Sequence, residues 1–183
     1  MDLTGKLLAA MPSLQDPRFD HALILICAHS PDGAMGLIVN HPMPDVPFAT
    51  LTERLGIAHT QGIDLAVHYG GPVEAGRGFI LHRDNFSSDA GGMPIAGGYH
   101  LSATLDVLES LAAGTGPSPA LLTLGYAGWG PNQLETEIAE NAWLTLDGRA
   151  DIIFTAPAGE KWAQALRLSG VDPRALSGAA GHA

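Results

Sequence analysis

Eight histidines and one cysteine are the residues of this 183-residue sequence best suited to bind a metal ion. The histidines are His21, His29, His41, His59, His68, His82, His100 and His182. No two of them are three or four residues apart, the spacing that places two ligands on one face of a helix, and no cysteine pair accompanies them. The sequence therefore predicts neither a metal site nor a bound cofactor.

Nucleophilic catalysis also lacks a recognisable pattern. Cys27 lies in the apolar run of residues 21–28, without an evident activating neighbour, and is predicted to be a small core residue. Neither the GxSxG pattern of a hydrolase serine nor the GxxxxGK[ST] phosphate loop occurs. These patterns favour a protein that is not an enzyme.

The most informative stretch covers residues 121–143 and reads LLTLGYAGWGPNQLETEIAENAW. Its leucines predict a buried strand over residues 121–124. Three glycines then alternate with Tyr126 and Trp129, which predicts a sharp turn directly after that strand.

A helix is predicted to follow this turn. Asn132 and Glu135 have the spacing of a capping box, in which the Asn132 side chain accepts a backbone hydrogen bond and Glu135 returns one. Leu134 and Ile138 are four residues apart, so they should share the face that packs on the core.

Two hairpins are predicted elsewhere. Residues 21–28 and 35–39 are apolar runs separated by Ser-Pro-Asp-Gly turn residues. Residues 143–146 and 151–154 are two further strand candidates, separated by an Asp-Gly turn. Strands outnumber helices, which favours an α+β fold.

Two details concern the helices. Residues 48–56 predict a short amphipathic helix in which Phe48, Leu51 and Leu55 share one face. Ser102 is predicted to cap the next helix, which begins just after it.

Several segments together resemble the YqgE/AlgH family, a bacterial family without an established activity. GYAGWGPNQLE, at residues 125–135, resembles the family signature GYAGWGxGQLE, with Asn132 in place of glycine. Residues 33–42 resemble GAMGLVLNRP, with histidine in place of arginine at position 41, and residues 70–73 match GGPV. The chain is identified as a member of this family.

The length of 183 residues, without a linker or an internal repeat, predicts one domain over residues 1–183. The hairpins favour a mostly antiparallel or mixed sheet, and the family resemblance implies that this sheet curls into a pseudo-barrel with helices packed outside. The tail from about residue 175 is rich in glycine and alanine and is expected to be flexible.

The candidate functional surface consists of residues that match the family segments. They are Asn40, Gly70, Gly71, Tyr126, Trp129, Gln133 and Glu135. If they converge, they form a small-molecule pocket with an aromatic wall, amide donors and a carboxylate, in which burial would make Glu135 a general base. The structural alternatives are a helix cap for Glu135, aromatic anchors of the turn for Tyr126 and Trp129, and a corner between a strand and a loop for Gly70 and Gly71.

The charge balance limits the partners. The net charge is −10, from 19 acidic and 9 basic residues, which opposes direct binding to nucleic acid. No apolar run approaches the roughly 20 residues needed to span a bilayer, and residues 7–11 are too few for the core of a signal peptide. The sequence therefore predicts a cytoplasmic protein that does not bind membranes.

Three functions remain. The family's common label, transcriptional regulator, implies a regulator, and the acidic charge favours action through a protein partner or a small ligand rather than direct DNA binding. The alternative is a small-molecule-binding protein or enzyme that uses a pocket at Trp129 and Glu135. A nucleic-acid-binding module would require a cluster on one face of Arg77, Arg83, Arg149, Arg167 and Arg174.

Overall fold

The computed structural model of the chain describes residues 2–87 and 91–177. These residues form nine strands: β1 (Leu7–Ala10), β2 (Leu23–Ser30), β3 (Gly33–Ile38), β4 (Val67–Tyr69), β5 (Val73–Arg83), β6 (Met93–Ile95), β7 (Tyr99–Ser102), β8 (Ala120–Trp129) and β9 (Trp143–Leu146). The α-helices are α1 (Phe48–Arg54), α2 (Leu105–Ala112), α3 (Gln133–Ala139), α4 (Ala158–Leu168) and α5 (Pro173–Ser177). A 3₁₀ turn covers Pro17–Phe19 and a π-helical turn covers Asp151–Thr155. His182 and the end of the predicted flexible tail lie outside the described residues.

The strands form one sheet in the order β6-β7-β5-β8-β3-β2-β1-β9. Neighbours in this order are antiparallel, whereas β4 pairs with β8 in parallel. The sheet curls into a half-barrel with the helices packed on it, which confirms the predicted α+β fold. No helix among the described residues is long and apolar enough to cross a bilayer.

Both faces of the middle of the sheet are buried. In β2, Leu23, Leu25 and Cys27 belong to the apolar cluster that includes α4, whereas Ile24 and Ile26 belong to the cluster that includes α3. Because side chains alternate along a strand, covering both faces requires a continuous apolar run. The β2–β3 hairpin and the core position of Cys27 were predicted correctly.

The predicted turn after residue 124 is wrong. β8 continues through the glycine-aromatic segment to Trp129. Gly125 has φ +72°, but the strand continues through it. Because it has no side chain, the backbone of the β4–β5 connection can pack against it. A Cβ atom on Gly70 would lie 2.2 Å from Gly125 O, and one on Gly71 would lie 2.1 Å from Tyr126 C. The connection between β4 and β5 therefore packs directly on β8.

The second predicted hairpin is also wrong. β9 pairs with β1, with Leu7 opposite Leu146, instead of with the segment that follows it. Residues 151–155 form the π-helical turn, and its Ile152 and Ile153 are buried in the core below α4. The apolar run belongs to a buried helical turn, which a short sequence window does not distinguish from a strand.

The predicted helix caps are not formed. Asn132 has φ +58° and its side chain makes no capping hydrogen bond, although Leu134 is buried as predicted. The cap position of α2 is Thr104 rather than Ser102. In α1, Phe48 is buried, but Leu55, at the cap position after the helix, is 46% exposed.

Candidate functional site

A groove of about 800 Å³ opens beside the tip of the β2–β3 hairpin. Its apolar lining includes Met35, Phe79, Met93, Leu101 and Tyr126. Charged residues Asp32, Glu74 and Arg77 also line it. The combination of an apolar lining with a few polar groups is typical of ligand sites.

A bulge in β5 builds one side of this groove. Val73 pairs with Tyr126 of β8, and the next ladder pair joins Gly78 to Leu124, so residues 74–77 loop out of the sheet. Glu74 has φ +46°, an unfavourable conformation for a side chain other than glycine. Such strain is often found at functional sites.

The charged end of the bulge is partly neutralised. Arg77 Nη1 lies 3.5 Å from Glu74 Oε2, and the guanidinium carbon lies 5.1 Å from the centre of the Phe79 ring. The edge-to-face contact of Phe79 with Tyr126, 5.9 Å between ring centres, continues the aromatic surface. Arg77 is therefore engaged both with a carboxylate and with an aromatic ring.

A second, polar cavity of about 510 Å³ is lined by Asp2, His29, Ser30, Pro31, Asn132 and Glu135. His29 and Ser30 line the groove as well. The Leu3 N–H donates to His29 Nδ1 at 3.2 Å, so the proton of the neutral ring is assigned to Nε2, which donates to Glu135 Oε1 at 2.7 Å. The His29 side chain is 6% exposed, and both of its nitrogens are occupied.

Glu135 does not have the environment of a general base with a raised pKa. Its side chain is 47% exposed. The pKa of Glu135 is lowered, chiefly by a hydrogen bond from its own backbone N–H and then by the His29 ring. The capping box proposed for Glu135 is absent as well, since the carboxylate reaches across to β2 instead.

The seven predicted site residues do not converge on one cavity. Tyr126 lines the groove and Glu135 lines the polar cavity. Trp129 contributes to the groove edge, but its indole packs with Trp143 in the α3 cluster, on the face of β8 opposite Tyr126. Strand alternation explains this separation, because residues 126 and 129 point to opposite faces.

The other four residues have structural contacts. Asn40 Oδ1 accepts from the Leu23 N–H and its Nδ2 donates to His21 O, both at 2.8 Å, which joins the end of β3 to β2. Gln133 Oε1 accepts from the Gly130 N–H. Gly70 and Gly71 provide the close backbone approach to β8 described above.

Sequence reasoning missed Glu137. Its Oε2 accepts from the indole N–H groups of Trp129 and Trp143 at 2.9 and 2.7 Å, and its Oε1 accepts from Gln133 Nε2 at 2.8 Å. The four-residue spacing from Gln133 was the local signal available. This carboxylate satisfies two indoles that are nearly buried.

Lys161 and the pair of Ser102 with His82 are buried polar side chains that line neither cavity. Lys161 Nζ donates to Val39 O and Ile153 O, and burial lowers its pKa to about 8. Ser102 Oγ lies 3.0 Å from His82 Nε2, while His82 Nδ1 donates to Arg83 O. Both members of this pair are at most 1% exposed, so it is a core contact. Among the described residues no cluster of three or more histidine, cysteine or carboxylate side chains is arranged to hold a metal.

Comparison with known proteins identifies the family. The AlgH-like family model matches residues 7–174. The chain belongs to the AlgH-like family. A UPF0301 protein of Cereibacter sphaeroides is 52% identical over 184 residues and is covered fully, as is this chain. A UPF0301 protein of Paracoccus denitrificans is 54% identical, over 100% of this chain and 97% of its own length.

Solved structures agree with this AlgH-like assignment. The solution structure of the AlgH protein from Pseudomonas aeruginosa is 37% identical, with a TM-score of 0.79 over 98% of this chain and 95% of that one. The crystal structure of protein DIP2367 from Corynebacterium diphtheriae is 23% identical, with a TM-score of 0.69 over 90% and 85% of the two chains. The latter supports the fold alone.

Proposed function

We propose that this AlgH-like protein is a cytoplasmic regulator that acts by binding a protein partner or a small ligand in the groove, without contacting DNA directly. The observation that carries the proposal is the groove itself. It has a volume of about 800 Å³, an apolar lining with Met35, Phe79 and Tyr126, and charged groups at Asp32 and Glu74. A site of this size and composition is typical of ligand binding.

The basic side chains support the exclusion of DNA. Lys6, Arg18, Arg77, Arg149 and Arg174 each lie in an ion pair with a carboxylate, and Lys161 is buried. Few of the nine cations are therefore available for phosphates, and the net charge is −10. Affinity for DNA depends on cations that neutralise phosphates.

The polar groups beside the groove favour binding over acid–base catalysis. Both ring nitrogens of His29 are already hydrogen-bonded, to Leu3 and Glu135. Ser30 Oγ accepts from the Asp32 N–H at 3.2 Å and makes no hydrogen bond to His29. A nucleophile and its base should lie within hydrogen-bond reach of each other, and these residues do not form such a pair.

The test is binding of the neutral apolar dye Nile red, measured by fluorescence. Gly128 lies in β8 beside the groove, and a Cβ atom there would lie 3.4 Å from Tyr126 Cε2 and 3.7 Å from Val73 Cγ2, which are ordinary contacts. Gly128→Leu should therefore place a side chain in the groove beside Tyr126 and weaken dye binding. Gly159→Leu adds the same side chain to α4, where nothing lies within 4 Å, and should leave binding unchanged.

Two outcomes would contradict the proposal. One is equal dye binding by wild type and Gly128→Leu, both checked for folding by circular dichroism, since the dye would then lie elsewhere. The other is binding of wild type to a labelled mixed-sequence DNA duplex at near-physiological salt, which would reinstate direct DNA contact.

A further inference from the structure

We infer that the groove binds a short peptide segment of a partner protein in which an apolar side chain is next to lysine or arginine. This inference rests on the proposed function and specifies the partner of the same site. The evidence is the charge at the rim, the lining and the exposure of the β5 bulge.

The charged groups at the rim of the groove favour a ligand that carries a positive charge. Asp32 is exposed in the β2–β3 turn, and among the described residues its carboxylate has no ion-pair partner, whereas the carboxylate of Glu74 lies 3.5 Å from Arg77. The cation at the rim is thus already engaged and one carboxylate is free. The net charge of −10 would attract a basic segment from a distance and repel an acidic one.

The lining suits side chains of variable shape. Met35 and Met93 are partly buried against the core, beside Phe79 and Tyr126. Methionine side chains are flexible and polarisable, so they adapt to different apolar groups. The partly exposed Tyr126 ring provides a surface for the aliphatic stem and charged end of lysine or arginine.

The bulge favours a peptide over a small amine. Residues 74–77 are exposed and have no partner in the β5–β8 ladder. They therefore form an exposed segment of β5 beside the groove. An extended peptide can pair with the backbone of an exposed strand segment while its side chains occupy the groove, as in other peptide-binding proteins.

The experiment is a selection of displayed random peptides on the full chain, with counter-selection on Gly128→Leu. Enriched peptides should combine an apolar residue with lysine or arginine. One enriched peptide and its analogues, with the basic residues changed to glutamine or glutamate, are then measured by fluorescence anisotropy. The basic peptide should bind most tightly, the glutamate peptide least, and added salt should weaken only the basic one.

The matched variants are Asp32→Asn and Asp45→Asn, because each removes one exposed negative charge. Asp45 lies in the loop before α1, away from the groove lining. Asp32→Asn should weaken binding of the basic peptide by about fivefold and leave the glutamine peptide unchanged. Asp45→Asn should change both affinities by less than about twofold.

The outcomes separate this inference from the proposed function. If Nile red binds the groove but enriched peptides are neutral or acidic, or Asp32→Asn has no greater effect than Asp45→Asn, the inference is wrong and the groove function stands. If octylamine binds in an Asp32-dependent way while no peptide is enriched, the ligand is a small amine and the peptide inference is overturned. If no probe distinguishes wild type from Gly128→Leu, both are wrong.

Discussion

Lys161 should make the protein more stable as the pH rises from about 7 to about 10. It lies on α4, is 3% exposed, and donates from Nζ to Val39 O and Ile153 O at 2.9 and 2.6 Å. Among the described residues, no carboxylate forms an ion pair with Nζ. Burial therefore lowers the pKa of Lys161 from 10.5 to about 8.

The sign follows from proton binding. Above about pH 8 the folded lysine loses its proton, while the unfolded lysine keeps it up to about pH 10.5. The unfolded state then binds more protons, so the free energy of unfolding rises with pH in this interval. Each pKa unit corresponds to about 1.4 kcal/mol, so the two units up to about pH 10 give a rise of about 2.5 kcal/mol.

The assay is urea unfolding followed by tryptophan fluorescence, for wild type and Lys161→Met, at about pH 7 and about pH 10. Other groups oppose the effect, notably Cys27, whose pKa burial raises to about 12. They are present in both proteins, so the difference between the two isolates the lysine. Lys6→Met, which removes an exposed lysine paired with Asp147, is the control and should show no comparable pH dependence.

One result would refute this reasoning. If the stability difference between wild type and Lys161→Met changes by less than about 0.5 kcal/mol over this pH range, the folded lysine titrates as it does in water. Burial would then not be the dominant influence on the pKa of Lys161 in the folded protein. Neutral-pH stability alone does not decide the matter, because removing a buried charge and its hydrogen bonds have opposing effects.

Three further predictions concern groups buried in the fold. Glu137→Ala should lower the free energy of unfolding in urea by about 3–5 kcal/mol, because it leaves two nearly buried indole N–H groups without an acceptor. Glu140→Ala, at the exposed end of α3, should lower it by less than about 0.5 kcal/mol, and equal losses would contradict the Glu137 contacts. Gly71→Ala should lower the melting temperature strongly, since its Cβ would overlap the β8 backbone, while Gly76→Ala in the open β5 bulge should change it little. A Gly71→Ala variant with an unchanged melting temperature would mean that the β4–β5 connection does not pack on β8 as described. The Cys27 thiol should react with a thiol reagent only in denaturant, and rapid labelling of the folded protein would place it outside the core.

Local patterns explain which parts of the fold could be predicted. The β2–β3 hairpin has two apolar runs separated by a segment that contains the turn residues Ser-Pro-Asp-Gly, so all the required information lies within residues 21–39. The burial of Leu134 follows from helical spacing over one turn. Such features depend on residues close in sequence, and a single sequence carries that signal well.

Distant contacts explain the errors. Glu135 was assigned to a cap three residues away, but its partner His29 is 106 residues away. Likewise β9 pairs with β1 rather than with the next apolar run, because β1 presents an edge that the local sequence does not reveal. Where a local and a distant partner compete, spacing favours the local one, while burial and packing determine the structure.

The residues that match the family signature mainly stabilise the fold around the groove and contribute little to its lining. Gln133 and Trp129 both bind Glu137, and Gly71 packs on the backbone at Tyr126, so these residues stabilise the junction of β8 with its neighbours. Among the seven predicted site residues, Tyr126 contributes its side chain to the groove lining.

The charged rim comes from segments outside that predicted set. Asp32 lies in a hairpin turn, and Glu74 and Arg77 lie in a bulge that pairs with nothing in the sheet. Side chains in exposed turns and bulges can change without disturbing a core, because they make few packing contacts. The residues around β8 therefore hold the groove in place, while the turn and the bulge supply the charged groups at its rim.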